Sequence, residues 1–140
     1  MFGPDLCNAR GSLQTHNNTL MWSYYAESHT GMVIGVDVIE RDAKIEPIEY
    51  VENLDIDRNS DDIAKRILCK KYVLWRHERE HRVFVRDKPF IKVKVHELIF
   101  GVGTKQDVKE LVTSVAKKFC PGIQISSIEK DQLDRGIAYA

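Results

Sequence analysis

The string His77-Glu78-Arg79-Glu80-His81 carries the strongest chemical signal in the chain, and it has two incompatible readings. As H-E-x-x-H it is the zinc motif of metalloproteases. Two histidines one helical turn apart reach one metal, and the glutamate acts as general base on the metal-bound water. As Trp75-x-x-Glu78-x-Glu80-x-Arg82 it is a helix running into a strand, with two carboxylates and a guanidinium at the junction.

The zinc chemistry needs both histidines on one continuous helix. Upstream, the residues suit a helix. Asn59 or Ser60 can cap it, Asp61 and Asp62 suit its positive end, and Ile63, Ile67 and Leu74 recur at helical spacing. Downstream, the period changes. Arg82 to Arg86 is rich in β-formers, Asp87-Lys88-Pro89 turns the chain, and Ile91, Val93 and Val95 alternate with Lys92, Lys94 and His96. This pattern predicts a β-hairpin and puts His81 at or beyond the helix end, out of phase with His77. Arg76, Arg79 and Arg82 also surround the motif with charge that opposes an incoming dication. His96 and Glu97 are the candidates for a third ligand, on the hairpin. The junction reading is preferred: no metal is assigned, and His77 with His81 stands as the alternative metal pair.

The rest of the chain supplies the frame. Thr19 to Thr30 predicts a short helix with Trp22, Tyr25, Ala26 and His29 on one face, ended by Gly31 as a left-handed cap. Met32 to Ile39 is a strand apolar on both faces except at Asp37, and therefore central. Glu46 to Val51 is a second strand, with Pro47 at an edge or strand start. Leu98-Ile99-Phe100 extends the hairpin or forms its own strand. Thr104, with Asp107 as capping-box partner, opens a third helix whose buried stripe is Val108, Leu111, Val112, Val115 and Phe119. Pro121-Gly122 stops it, Ile123 to Ile128 is another strand, and Gly136 to Tyr139 a last one. Gly101-Val102-Gly103 is too short for a phosphate loop and reads as a strand end before a helix. The expected fold is α+β, with a mixed, mainly antiparallel sheet of about five to seven strands and about three helices. Residues 1–18 form an irregular polar segment, and residues 19–140 a single domain.

The chain has 140 residues, 43% hydrophobic and 30% charged, with a formal net charge of zero. No global field draws it to nucleic acid, and no stacking pattern of aromatics among basic residues favours that partner. No apolar run reaches membrane-spanning length. Cys7, Cys69 and Cys120 lack metal or redox spacing and suit a reducing cytoplasm. Charge is segregated, however. Asp37 to Asp62 holds ten acids against three bases, and Ile63 to Lys94 eleven bases against three acids. The basic stretch is either solvated or a site for phosphate or another small anion.

Two blocks together resemble a family. Leu20-Met21-Trp22-Ser23-Tyr24-Tyr25-Ala26-Glu27-Ser28-His29-Thr30-Gly31, followed by the apolar strand Met32 to Val38, is similar to its first block. Lys70 or Lys71, then Trp75-x-x-Glu78-x-Glu80-x-Arg82, is similar to its second, and Glu97 to Gly101 resembles its late strand. The family is domain of unknown function 2971, found mainly in bacteria and their phages. The resemblance covers roughly residues 19–130. It implies a short or N-terminally truncated member, because the family's Tyr-rich opening strand and Asn-Asp-Pro stretch are absent. It also implies that Trp22, Tyr25, His29, Trp75, Glu78, Glu80 and Arg82 are the polar positions of interest.

Those residue types suit a nucleotide-like ligand. Trp22, Tyr25 and Trp75 would stack a base, His29 would donate to an oxygen, and Glu78 or Glu80 would hold a ribose hydroxyl or act as general base, as in ADP-ribosyl transfer, with Arg82 a further ligand-binding residue. No cofactor is assigned. A non-catalytic partner-binding or homodimerisation module, with an apolar patch on an edge strand, is the alternative. A zinc hydrolase using His77 and His81 is the third.

Overall fold

The computed structural model describes residues 18–54 and 63–130. The polar segment before Asn18, the predicted caps at Asn59 to Asp62 and the predicted last strand lie outside the described residues. Within them the fold is mixed α+β. In chain order the elements are α1 (Thr19–Tyr25), β1 (Met32–Val38), β2 (Lys44–Pro47), β3 (Glu49–Val51), α2 (Ile63–Leu68), β4 (Lys70–Tyr72), a 3₁₀ helix (Val73–Glu78), β5 (His81–Phe84), β6 (Val93–Phe100), α3 (Gln106–Phe119) and β7 (Gln124–Ser127). The seven strands make three separate ladders: β1-β6-β7, β2-β5 and β3-β4. Contacts divide the chain into two compact units, one running up to Glu40 and from Lys92 onward, the other Arg41–Ile91.

The first unit is built on β6. It pairs antiparallel with β1, from Met32 opposite Phe100 to Val38 opposite Val93, and parallel with β7. A bulge lies between Gly35 and Val36. Gly35 is required there, since a Cβ would stand 2.8 Å from Glu97 Cβ. Leu98, Ile99 and Phe100 end the central strand and are buried. Trp22, 1% exposed, packs with Ala26, Ile99 and Ile128, and Val33 closes on the cluster. Asn18 caps α1 by accepting from Leu20 and Met21 N–H, as a short polar side chain does at that position.

The end of α1 differs from the expected glycine cap. The helix stops at Tyr25, and Glu27, Ser28 and His29 carry positive φ angles of 46°, 54° and 71°, whereas Gly31 does not. The reason is the docking of this turn on residues 101–104. His29 O accepts from Gly103 N–H at 2.9 Å, and Gly31 O accepts from Gly101 N–H at 3.0 Å and from Thr104 Oγ1 at 2.9 Å. Thr104 is thereby diverted from capping α3. Lys105 takes the cap position without a side-chain bond, and Asp107 accepts only from Val108 N–H. Three consecutive L-residues in the left-handed region cost about 1 kcal/mol or more each. Ser28 is exposed, so Ser28→Gly is expected to raise the unfolding free energy by about 0.5–1 kcal/mol. Thermal unfolding would show it as a higher Tm; a lower Tm would contradict the left-handed assignment.

The second unit departs most from the sequence pattern. The predicted hairpin does not form. β5 pairs antiparallel with β2, Lys44 opposite Phe84, whereas β6 pairs with β1 and β7 in the other unit. Alternation marks both strands correctly but cannot name their partners. The predicted long helix is also interrupted. α2 ends at Leu68, and Lys70–Tyr72 pairs parallel with Glu49–Val51 as β4 before the 3₁₀ helix begins. Glu49 N–H donates to Cys69 O at 2.7 Å, which opens this ladder. Pairing with β3 outweighs the helical spacing of Ile67 and Leu74.

Candidate functional site

The junction from the 3₁₀ helix to β5 carries the densest polar cluster among the described residues. The helix ends because Arg79 takes the left-handed conformation, φ 47° and ψ 42°. Glu80 is then held by backbone at both ends: its N–H donates to Tyr50 Oη at 2.8 Å, and its carbonyl accepts from Ile48 N–H at 2.9 Å. β3 and the residue before it thus fix the point from which Glu80 projects.

Lys71, on β4, donates to Glu78 Oε2 and, at 2.9 Å, to Glu80 Oε2. Arg82 Nε donates to Glu80 Oε1 at 2.6 Å, and its NH1 to Leu68 O. Lys71 Nζ also lies 5.5 Å from the Trp75 ring centroid. Two carboxylates and two cations therefore form one chain, Glu78–Lys71–Glu80–Arg82. Glu78 is 3% exposed, the others are half-buried, and Trp75 is 37% exposed. Among the described residues Glu78 is the only buried charged side chain. A buried carboxylate needs such a partner, because desolvating an ion is costly.

The electrostatics follow the bonds. Burial disfavours the Lys71 ammonium, but hydrogen bonds and charge from Glu78 and Glu80 outweigh it, pushing its pKa up from 10.5 to about 12. Burial likewise opposes the Glu80 carboxylate, but Arg82 and Lys71 hold it below its ordinary 4.5. The hydrogen bond to Glu80 raises Arg82 further. Each shift has its own pH window. The Glu80 contribution is present above about pH 4.5 and is lost as pH falls through the lowered value. The Lys71 contribution is present below about pH 10.5 and is lost as pH rises through about 12. Wild type is therefore expected to exceed Glu80→Gln in stability by a constant margin through neutral pH, and that margin should shrink on acidification below about pH 4.5. Unfolding curves at stepped pH measure it; a margin unchanged to about pH 2 would show that Glu80 is not ion-paired.

The zinc geometry is not formed. His77 lies in the 3₁₀ helix and His81 opens β5, with left-handed Arg79 between them. Their Nδ1 atoms lie 3.1 Å from Leu74 O and Arg79 O respectively. His96 and Glu97 sit on β6, in the other unit. Among the described residues no three His, Cys, Asp or Glu side chains converge for a metal.

The seven residues singled out by the resemblance fall into two sets, one per unit. Trp75, Glu78, Glu80 and Arg82 are joined through Lys71, which the resemblance leaves as one of two lysines, Lys70 or Lys71. Trp22, Tyr25 and His29 belong to the other unit. There, Trp22 and His29 stack with centroids 6.4 Å apart and 18° between planes. Tyr25 is exposed and, with Trp22, Met21, Ala26, Met32 and Val33, lines an apolar hollow of about 170 Å³. His29 Nε2 lies 3.2 Å from Ser23 Oγ, whose proton goes to Thr19 O at 3.0 Å. The glycine pair of residues 101–103 is also committed: both amides donate to the turn after α1, which leaves no cradle for phosphate. No helix among the described residues is long and apolar enough to cross a membrane. In comparisons with known proteins, no family model, no curated protein and no solved structure matches the chain.

Proposed function

We propose that the Arg41–Ile91 unit binds a nucleotide-like ligand at the Glu78–Lys71–Glu80–Arg82 chain. The observation that carries this reading is the half-exposed ion network beside an accessible indole, anchored by a buried carboxylate. Trp75 stacks the base, Glu80 accepts from a ribose hydroxyl, and Arg82 with Lys71 meets phosphate oxygens. Glu78 lies beneath Lys71 and acts as a positioning residue rather than as the contacting base. The resemblance to the domain of unknown function 2971 family supports the same residues. ADP-ribosyl transfer is the reaction class such a ligand would serve, with Glu80 as the carboxylate within reach.

Titrating ADP, ADP-ribose and NAD+ into a Trp22→Phe background, where Trp75 is the remaining tryptophan, tests the proposal by fluorescence. Quenching by ADP, weakened about tenfold or more by Arg82→Ala and by Glu80→Gln, is expected. Absence of any response at about millimolar ligand, near −4 kcal/mol of binding, overturns it. Release of nicotinamide from NAD+, lost in Glu80→Gln, tests the transfer reaction separately.

A further inference from the structure

Helix α3 is amphipathic, but it does not pack with its apolar side. The residues it half-buries are Lys109, Val112, Thr113 and Ala116. Its larger apolar residues Val108, Leu111, Val115 and Phe119 are 37%, 67%, 49% and 72% exposed, and no residue of the helix is fully buried. At about 100° per residue the packed and apolar faces are offset by roughly a quarter turn. The expected buried stripe is thus an exposed one, more than three turns long. A contiguous apolar patch of this kind marks an interaction surface.

The charges beside the stripe specify what covers it. Asp107 and Lys118 lie on the same flank, on the side away from the packed face. They stand at opposite ends of the helix, equidistant from its middle near Val112 and Thr113. A partner helix running antiparallel about a two-fold axis reverses their order. Asp107 then faces Lys118 of the second copy, and Lys118 faces its Asp107, while Leu111 meets Val115. A parallel two-fold copy would carry the two flanks to opposite sides of the seam, where these pairs cannot form. Both side chains are exposed and can reach outward. Such self-complementarity, residue i on j and j on i, is the signature of an isologous interface.

We propose that the chain forms a two-fold homodimer through antiparallel packing of α3. The stripe supplies the apolar contact, and the two Asp107–Lys118 pairs set the direction. This goes beyond the ligand reading, since α3 and the Lys71 network lie in different units, and either can fail without the other.

Sedimentation of the full chain over about 1–100 µM, the range of weak to moderate dimers, tests it. The expected mass at the upper end is twice 16.2 kDa. Leu111→Glu should leave only monomer, with an unchanged far-UV spectrum. Asp107→Lys and Lys118→Asp should each weaken association about tenfold or more, and the double reversal should restore it. A wild type that stays monomeric, a dimer indifferent to Leu111→Glu, or single reversals that the double does not rescue would each overturn the proposal. The charge swap concerns exposed residues and remains informative if Leu111→Glu unfolds. Recovery of monomer bound to an unrelated amphipathic helix would assign the stripe to another occupant and also overturn it.

Discussion

Replacing Lys71 with methionine is expected to cost about 3–5 kcal/mol of unfolding free energy, the cost of removing one member of a buried ion pair. Methionine keeps the stem and removes the ammonium, so Glu78, 3% exposed, loses the hydrogen bond and charge of Lys71. Glu80 retains Arg82 and is half-exposed, and it contributes less to the loss. The effect is large because of where the network sits. Among the described residues of Arg41–Ile91, Ile48 is the only buried apolar side chain. The ion chain ties β4, the 3₁₀ helix and β5 together in the place of an apolar core. Glu78→Gln is expected to cost about 1–2 kcal/mol, because the amide oxygen still accepts from Lys71. Lys71→Met combined with Glu78→Gln should be more stable than Lys71→Met alone, since no buried ion remains. Urea unfolding followed by tryptophan emission gives all three values. A loss below about 1 kcal/mol for Lys71→Met would mean that Glu78 does not depend on this cation.

Gly101→Ala is expected to cost about 3 kcal/mol, at the upper end of overpacking. A Cβ there would stand 2.1 Å from the His29 carbonyl oxygen and 2.7 Å from its carbon. Both are backbone atoms, and His29 O is already held by Gly103 N–H, so relief requires separating the two turns. Gly122→Ala serves as the contrast. Its Cβ would meet nothing within 4 Å, but φ is +85°, and about 1 kcal/mol of backbone strain is expected. Gly103→Ala should be milder than Gly101→Ala, because its closest contacts, the Thr30 methyl at 3.2 Å and the His29 carbonyl oxygen at 3.3 Å, are tight rather than overlapping. A larger loss at Gly101 than at either Gly122 or Gly103 checks the docking directly. Equal losses at Gly101 and Gly122 would show that the turns do not meet closely.

Much of the secondary structure was legible in the chain. The apolar run at Met32 to Val38, the alternation through Val93 and Val95, and the helical period from Val108 to Phe119 each produced the element they predict. The break between His77 and His81 was legible too, as a change from helical to strand period. All of these are properties of neighbours within about ten residues, where the backbone repeat alone decides which side chains share a face.

Choices between distant partners were not legible. Strand alternation is the same whichever strand completes the ladder, so β5 and β6 read as a hairpin although they pair with β2 and with β1 and β7. The left-handed turn at Glu27 to His29 exists because residues 101–104 receive its carbonyls, and no local rule places three such L-residues in succession. Lys71 became the centre of the candidate site only when β4 brought it against Glu78 and Glu80. The period of α3 marked its apolar stripe but not the direction that stripe faces. A helix can rotate about its axis at fixed sequence, and its final orientation is set by the surfaces it meets.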